Sequence, residues 1–239
     1  MENILIIDDE QPTLDMLKLF LSAYGYPVLM AESGEQGIEI FEAERPPIVM
    51  TDIKMPGMDG IEVLKRIKSV SPDTEVIVVT GHGDMDLAIQ ALNLNATDFI
   101  NKPVKKEALE GALKRAEERI AAGRHKENRI TIRVQGEVAV MEIHGNVTSQ
   151  SEAFLQEAYN QVIEKELAKV VLKFDEHATI NGAGIALLTQ VLLEGTKKGQ
   201  AIAITGVSDN FRKVFGIVGI THFATLYEDE DKAIQALQG

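Results

Sequence analysis

The sequence has no cysteine and no tryptophan among its 239 residues. Without Cys there is no disulfide, no thiolate nucleophile and no zinc–thiolate site, and five scattered His residues offer no metal-ligand spacing. No run of about 18 apolar residues occurs, so no membrane insertion is expected. The opening Met1-Glu2-Asn3, followed at once by Ile4-Leu5-Ile6-Ile7, lacks a basic region and a cleavable apolar stretch. It does not read as a signal peptide, and a cytoplasmic location is expected. An excess of positive charge is missing too. Residues 1–120 carry 12 Lys and Arg against 22 Asp and Glu, and residues 121–239 carry 12 against 15. Neither half offers the clustered cations that a phosphate backbone requires, so no nucleic-acid partner is expected.

What is present is an ordinary globular composition, 45% hydrophobic and 26% charged, at a length that fits two small domains better than one large one. Short apolar runs at residues 4–7, 28–30, 48–50, 76–79 and 98–100 alternate with amphipathic stretches at 13–23, 34–44, 61–69, 85–94 and 105–120. Five strands alternating with five helices predict an α/β domain with a doubly wound, five-stranded parallel sheet, whose binding crevice lies outside the carboxyl ends of the strands. Leu109, Leu113, Ala116 and Ile120 form a 4-3-4 stripe. Two heptads are too few for a coiled coil, and the stripe is expected to pack on its own sheet.

A polar stretch, Arg124 to Asn128, then introduces a different pattern. The expected division is a first domain at 1–121, a linker at 122–129 and a second domain at 130–239. Two strands at 130–135 and 138–144 flank Gly136-Glu137, a hairpin signal. Ser149 or Ser151 is expected to cap a helix of about 14 residues that ends near Leu167. Strand 170–174, a loop to Asn181, helix 184–197, strand 201–205, helix 210–218, strand 223–227 and helix 231–238 complete a ββαβαβαβα order with a mixed sheet.

The chemistry of the first half sits just after its strands. Asp8 and Asp9 follow the first, Asp52 the third, Thr80 ends the fourth and Lys102 follows the fifth. In a doubly wound sheet these ends share one rim, so three carboxylates converge there. Like charges in one crevice are costly unless a divalent cation neutralises them, and oxygen ligands suit Mg²⁺. A carboxylate nucleophile, a metal site, a hydroxyl donor and an ammonium group are what phosphoryl transfer to a carboxylate requires. Singly, an Asp pair is a turn or cap, Lys-Pro a loop, and a terminal Thr means nothing. Their weight lies in the coincidence of four rim positions.

The segments Ile7-Asp8-Asp9-Glu10, Met50-Thr51-Asp52-Ile53-Lys54-Met55-Pro56-Gly57-Met58-Asp59-Gly60, Val78-Val79-Thr80-Gly81 and Asp98-Phe99-Ile100-Asn101-Lys102-Pro103 resemble the flavodoxin-like receiver domain of two-component response regulators. The resemblance covers residues 1–121. It implies that Asp52 is the phosphoacceptor, served by a histidine kinase. It implies that Asp9 binds Mg²⁺ directly, Asp8 through water, and Lys54 through its backbone carbonyl. Thr80 would bond the phosphoryl group, Lys102 would pair with it, Phe99 would be the switch aromatic, and Gly81 would leave room for the donor. Lys54 and His82 occupy positions that tune the lifetime of the phosphate, and their bulk points to slow hydrolysis. No enzyme activity is expected beyond the receiver's own phosphorylation and dephosphorylation.

In the second half, Gly145, the run Val170-Val171-Leu172-Lys173-Phe174 leading to Asn181-Gly182-Ala183-Gly184, the segment Phe211-Arg212-Lys213-Val214-Phe215 and Ala233-Ile234-Gln235-Ala236-Leu237 resemble a STAS domain. That is the family of anti-sigma-factor antagonists and sulfate-transporter tails. In the antagonists the loop before the second helix reads Asp-Ser-Ser-Gly, and a partner kinase phosphorylates a Ser there. Here both hydroxyls are absent, Thr179 is the only hydroxyl residue between Asp175 and Gly184, and control is expected to move to Asp52. Asn181, Gly182, Ala183 and Gly184 are the implied partner-binding segment, for an anti-sigma or switch-kinase type protein. A small ligand such as a nucleotide is the alternative. Glu176 and His177 are expected to be solvated, and a homodimer is left open.

Overall fold

In the first half, short apolar strands feed amphipathic helices five times. The computed structural model of the chain describes residues 3–81, 84–123, 129–175 and 178–238. The strands β1 (Ile4–Ile7), β2 (Val28–Ala31), β3 (Ile48–Asp52), β4 (Glu75–Thr80) and β5 (Asp98–Asn101) form one sheet in the order β2-β1-β3-β4-β5. All pairings are parallel. The helices are α1 (Gln11–Ala23), α2 (Gly34–Glu44), α3 (Gly60–Val70), α4 (Met85–Asn93) and α5 (Lys106–Gly123). A parallel sheet has helices on both faces, which is why its strands read as unbroken apolar runs rather than alternating ones.

One face packs Ile4, Ile6, Ile48, Met50, Ile77, Val79 and Ile100 against Leu14, Leu17 and Leu21 of α1 and Leu109, Ala112, Leu113 and Ala116 of α5. The 4-3-4 stripe is therefore spent on its own sheet, with Ile120 packed at its margin. Helix starts follow local chemistry. Ser33 Oγ accepts from Gln36 N–H before α2, and Asp59 accepts from Glu62 N–H before α3. Several elements exceed their expected spans: α1 starts at Gln11, β4 runs from Glu75 to Thr80, and Asp52 is the last residue of β3 rather than the first beyond it.

The second half contains β6 (Arg129–Gln135), β7 (Val138–His144), β8 (Asn146–Val147), α6 (Glu152–Glu164), β9 (Lys169–Phe174), β10 (Thr179–Ile180), α7 (Gly182–Lys197), β11 (Ala201–Thr205), α8 (Asp209–Ile217), β12 (Thr225–Leu226) and α9 (Glu230–Gln238). Its sheet order is β12-β11-β9-β7-β6, with β6–β7 antiparallel and the rest parallel, so the sheet is mixed as expected. The hairpin turns at Gly136, where φ is 63°.

Three expectations need correction. The segment before Asn181 is not all loop: it contains β10, which pairs with β8 as a separate two-stranded parallel ribbon. Two-residue strands have no periodicity to detect. The cap before α6 is neither Ser149 nor Ser151 alone: Thr148 and Ser151 bond reciprocally around a 3-10 turn, and α6 ends at Glu164, followed by Glu166 at φ 53°. The strand expected at 223–227 is reduced to Thr225–Leu226, because the N–H groups of Phe223 and Ala224 turn back to the Ile220 carbonyl after the 3-10 turn at Ile220–His222.

The chain divides into two compact units, Met1–His125 and Lys126–Gly239. Of the expected linker at 122–129, Ala122 and Gly123 belong to the end of α5 and Arg129 to β6, while 124–128 lie outside the described residues. Among the described residues, no helix is long and apolar enough to cross a membrane.

Two strands of the first sheet are fastened to α5 by charge. Arg115 Nε donates to Asp98 Oδ2 at 2.8 Å, a second guanidinium nitrogen bonds the same oxygen, and Asp98 Oδ1 accepts from Phe99 N–H at 2.8 Å. Arg119 Nε lies 2.8 Å from Glu75 Oε2. Asp98 is fully buried and Arg115 is 7% exposed. Removing one partner strands a buried charge. Asp98→Ala should therefore cost about 3–5 kcal/mol in urea unfolding of the first domain. A loss under about 1 kcal/mol would show that Arg115 finds water or another acceptor.

Candidate functional site

Strand register alone assembles the rim. Ile7 pairs with Thr51, so Asp8 and Asp52 come next on neighbouring strands. Asp52 pairs with Val79, Thr80 pairs with Asn101, and Lys102 N–H donates to the Thr80 carbonyl at 2.7 Å. The site straddles β1 and β3, the point where the strand order reverses and where such sheets open a crevice.

Asp8, Asp9 and Asp52 each offer an oxygen, and the three oxygens lie within 4.8 Å of one another. Asp8 and Asp52 are buried, at 1% and 6% exposure, while Asp9 is exposed. Lys102 Nζ reaches Asp8 Oδ2 at 3.0 Å, Asp52 Oδ2 at 3.2 Å and Glu10 Oε2 at 3.2 Å. Asp8 Oδ1 accepts from Glu10 N–H at 2.9 Å, which sets the turn after β1.

One ammonium serves three of these carboxylates, and the balance is visible in their proton affinities. Burial pushes the Asp52 carboxyl up to about 6; Lys102 pulls it down and the Asp8 charge pushes it further up. Burial also raises Asp8, against the Glu10 N–H bond and the Lys102 ammonium. Glu10 goes the other way: its hydrogen bond and charge pairing with Lys102 hold it low. Burial disfavours the Lys102 charge, but the Asp8 hydrogen bond and the Asp52 and Asp8 charges outweigh it and leave the ammonium firmly protonated. Asp8, Asp9 and Asp52 thus present a hard-oxygen donor set with surplus negative charge, which fits Mg²⁺.

Thr80 is 1% exposed, and its Oγ1 has no hydrogen-bond partner among the described residues. A buried hydroxyl in that condition is costly unless a ligand oxygen accepts from it. Phe99, opposite Val78, is fully buried. Lys54 turns its side chain to Asp84, at 2.6 Å. His82 lies outside the described residues. Two groups at this site were missed from the sequence. Glu10, the third acid after β1, shares Lys102, and its adjacency to Asp8 and Asp9 was the available signal; nothing in the sequence links Asp84 to Lys54.

The structure treats the second candidate segment differently. Asn181 Oδ1 caps α7 by accepting from Gly184 N–H at 2.9 Å. Gly184 is buried against the Val147 carbonyl, where a Cβ would collide. Gly184 thus approaches the chain's own β8 closely. Asn181 and Gly182 are half-buried and Ala183 is exposed, so these three offer the accessible surface. Thr179 is 2% exposed and donates to Asn146 Oδ1 at 2.7 Å. Glu176 and His177 lie outside the described residues.

Comparison with known proteins agrees with both halves. The model of the response regulator receiver domain matches residues 4–114, and that of the STAS domain matches residues 129–233. Sporulation initiation phosphotransferase F of Bacillus subtilis (strain 168) is 36% identical over 114 residues, 48% of this chain and 92% of that protein. The transcriptional regulatory protein GlrR of Escherichia coli (strain K12) is 36% identical over 119 residues, 50% of this chain but 27% of its own length. This chain thus spans only about a quarter of some of the curated relatives it matches. A response regulator receiver domain structure from Clostridium thermocellum is 36% identical, covers 52% of this chain and 98% of that one, and superposes with a TM-score of 0.48. The chain belongs to the response regulator receiver family. It is a two-component receiver followed by a STAS domain.

The raised Asp52 carboxyl has a consequence for stability. A carboxyl whose folded pKa lies above its unfolded value stabilises the fold most when protonated, below about pH 4, and that contribution is lost as pH rises through about 6. Above pH 6 the metal-free fold therefore bears an ionised Asp52 at a cost of about 1–3 kcal/mol. Asp52→Asn should stabilise the protein by that order at pH 7.5 in EDTA, with a smaller gain at pH 5, in urea unfolding at both pH values. Equal stability at pH 7.5 would mean that Lys102 already compensates the charge in full.

Proposed function

We propose that this protein is a phosphorylation-controlled regulator: a histidine kinase donates a phosphoryl group to Asp52, and the modified receiver changes how the STAS half binds a protein partner of the anti-sigma or switch-kinase type. The observation that carries this reading is the buried Asp52 carboxylate, with Asp8 and Asp9 beside it, the Lys102 ammonium at 3.2 Å and, on the neighbouring strand, the Thr80 hydroxyl, which has no hydrogen-bond partner among the described residues.

In this reading Asp52 Oδ attacks the phosphorus of the donor, and the bond from phosphorus to the donor's leaving atom breaks. Lys102 pairs with one phosphoryl oxygen and Thr80 donates its hydroxyl to another. Asp9 directly, Asp8 through water and the Lys54 carbonyl would hold Mg²⁺, which supplies charge neutralisation at the transferring group. The added charge favours one arrangement of Thr80 and Lys102, and buried Phe99 lies on β5, three residues before Lys102. The receiver joins the STAS half through α5, the only covalent route. The Asn181-Gly182-Ala183-Gly184 segment offers no hydroxyl to a switch kinase, which supports Asp52 as the point of control. The acidic balance of both halves supports a protein partner over nucleic acid.

Acetyl phosphate with Mg²⁺ should label the protein once, and Asp52→Asn and Asp9→Ala should each abolish the label in intact-mass spectrometry. Full labelling of Asp52→Asn would remove the site assignment. A flexible Gly-Ser insertion after Gly123 should leave labelling intact while uncoupling it from partner capture; unchanged phospho-dependence would exclude transmission through α5.

A further inference from the structure

An edge strand leaves every second N–H and carbonyl of its backbone unpaired, so a sheet accepts another chain most readily at a long, unguarded edge. Among the described residues most edges are short: β12 and both strands of the β8–β10 ribbon have two residues each, and β2 and β5 have four. The edge at β6 is different. It has seven residues, it ends the sheet order of the second half, and its pairing with β7 runs without a bulge from Arg129 opposite His144 to Gln135 opposite Val138.

The usual guards of an edge are missing. β6 contains no Pro, no Gly and no Lys. Its Arg133 is drawn onto the sheet face, with Nε 3.2 Å from Glu142 Oε1 and a second guanidinium nitrogen on Glu230 at the start of α9. The unpaired backbone groups also coincide with the apolar residues. In a hairpin with a two-residue turn the flanking pair exchanges hydrogen bonds, here Gln135 and Val138, so Arg133 and Thr131 direct their backbone groups to β7 as well. Ile130, Ile132 and Val134 therefore turn their N–H and carbonyl groups away from β7. Their side chains share the sheet face opposite Arg133, half-buried at Ile130 and Ile132 and 45% exposed at Val134.

Charge then selects the occupant and the register. An antiparallel partner that keeps apolar residues opposite apolar ones can slide only in steps of two residues. When two copies of β6 are centred on Ile132, Ile132 meets Ile132, Ile130 meets Val134, Thr131 meets Arg133 and Arg129 meets Gln135. All seven residues are used and no like charges are opposed. Moving the axis to Thr131 sets Arg129 opposite Arg133, and moving it to Arg133 sets that residue opposite itself; each is a repulsive pair.

We propose that β6 is a self-association edge: two copies of this chain join antiparallel through β6 across a two-fold axis at Ile132, making their five-stranded sheets continuous. Ile130, Ile132 and Val134 supply the backbone hydrogen bonds, and their side chains form an apolar row across the junction. The proposal concerns the second half and is independent of Asp52.

The test is sedimentation equilibrium of the full, unphosphorylated chain over a concentration series, in which the wild type should dimerise reversibly. Gln135 lies opposite Arg129 of the second copy, twice per dimer. Gln135→Glu should therefore tighten the dimer and Gln135→Arg weaken it, each about three- to tenfold in Kd. Ile132→Pro removes an N–H that β7 does not use and should leave a monomer. The chain has no cysteine, so an introduced thiol reports the register. With a short bis-maleimide, Ile132→Cys should join to itself, whereas Ile130→Cys and Val134→Cys should join to each other rather than to themselves. A wild type that is monomeric at every concentration overturns the proposal and leaves the edge to a strand of a different protein. Equal Kd values in the two Gln135 variants also overturn it, as does a Val134→Cys chain that joins to itself in preference to Ile130→Cys, whether or not Ile132→Pro folds.

Discussion

The first domain is organised around negative charge gathered in one place. The β1 and β3 register forces Asp8 and Asp52 side by side, the turn after β1 adds Asp9 and Glu10, and a single lysine from the end of β5 answers Asp8, Asp52 and Glu10. Burial first, and the neighbouring Asp8 charge after it, make Asp52 hold its proton more tightly, while Lys102 offsets part of that cost. A divalent cation held by Asp8, Asp9 and Asp52 would meet this surplus of negative charge.

Gly60 opens α3 with its Cα against the Asp52 carbonyl, where any side chain would collide, so α3 starts directly under the phosphoacceptor candidate. At the other end of the sheet, Asp98 and Glu75 fasten β5 and β4 to α5 through Arg115 and Arg119. The strands that carry Thr80 and Phe99 are thus held at the ends opposite the rim. The second domain repeats the close approach for a different purpose: Gly184 opens α7 against the Val147 carbonyl of β8, and Asn181 closes the corner. In that corner Gly184 is buried, Asn181 and Gly182 are half-buried and Ala183 is exposed.

The sequence was read most accurately where pattern and period coincide. Ten alternating segments fixed the first domain's topology, since a parallel sheet leaves no other economical way to cover both faces of strands such as Ile4–Ile7 and Ile48–Asp52. The 4-3-4 stripe of α5 was correctly assigned to its own core. Reading failed where elements are too short to have a period: β8 and β10, two residues each, form a ribbon that no local pattern announces, and the 3-10 turn at Ile220–His222 shortened the strand expected after it.

The amino-acid sequence by itself determined the order of the elements and the identity of the rim residues, because a residue that follows a strand in a doubly wound sheet has only one end of the sheet on which to lie. It could not determine which of those residues touch. That Lys102 divides itself among Asp8, Asp52 and Glu10, that Lys54 is drawn to Asp84, and that Gly184 lies against the Val147 carbonyl of β8 are features of the tertiary structure. Such contacts depend on distances of about 3 Å between chain segments far apart in sequence, and only the packed sheet fixes those distances.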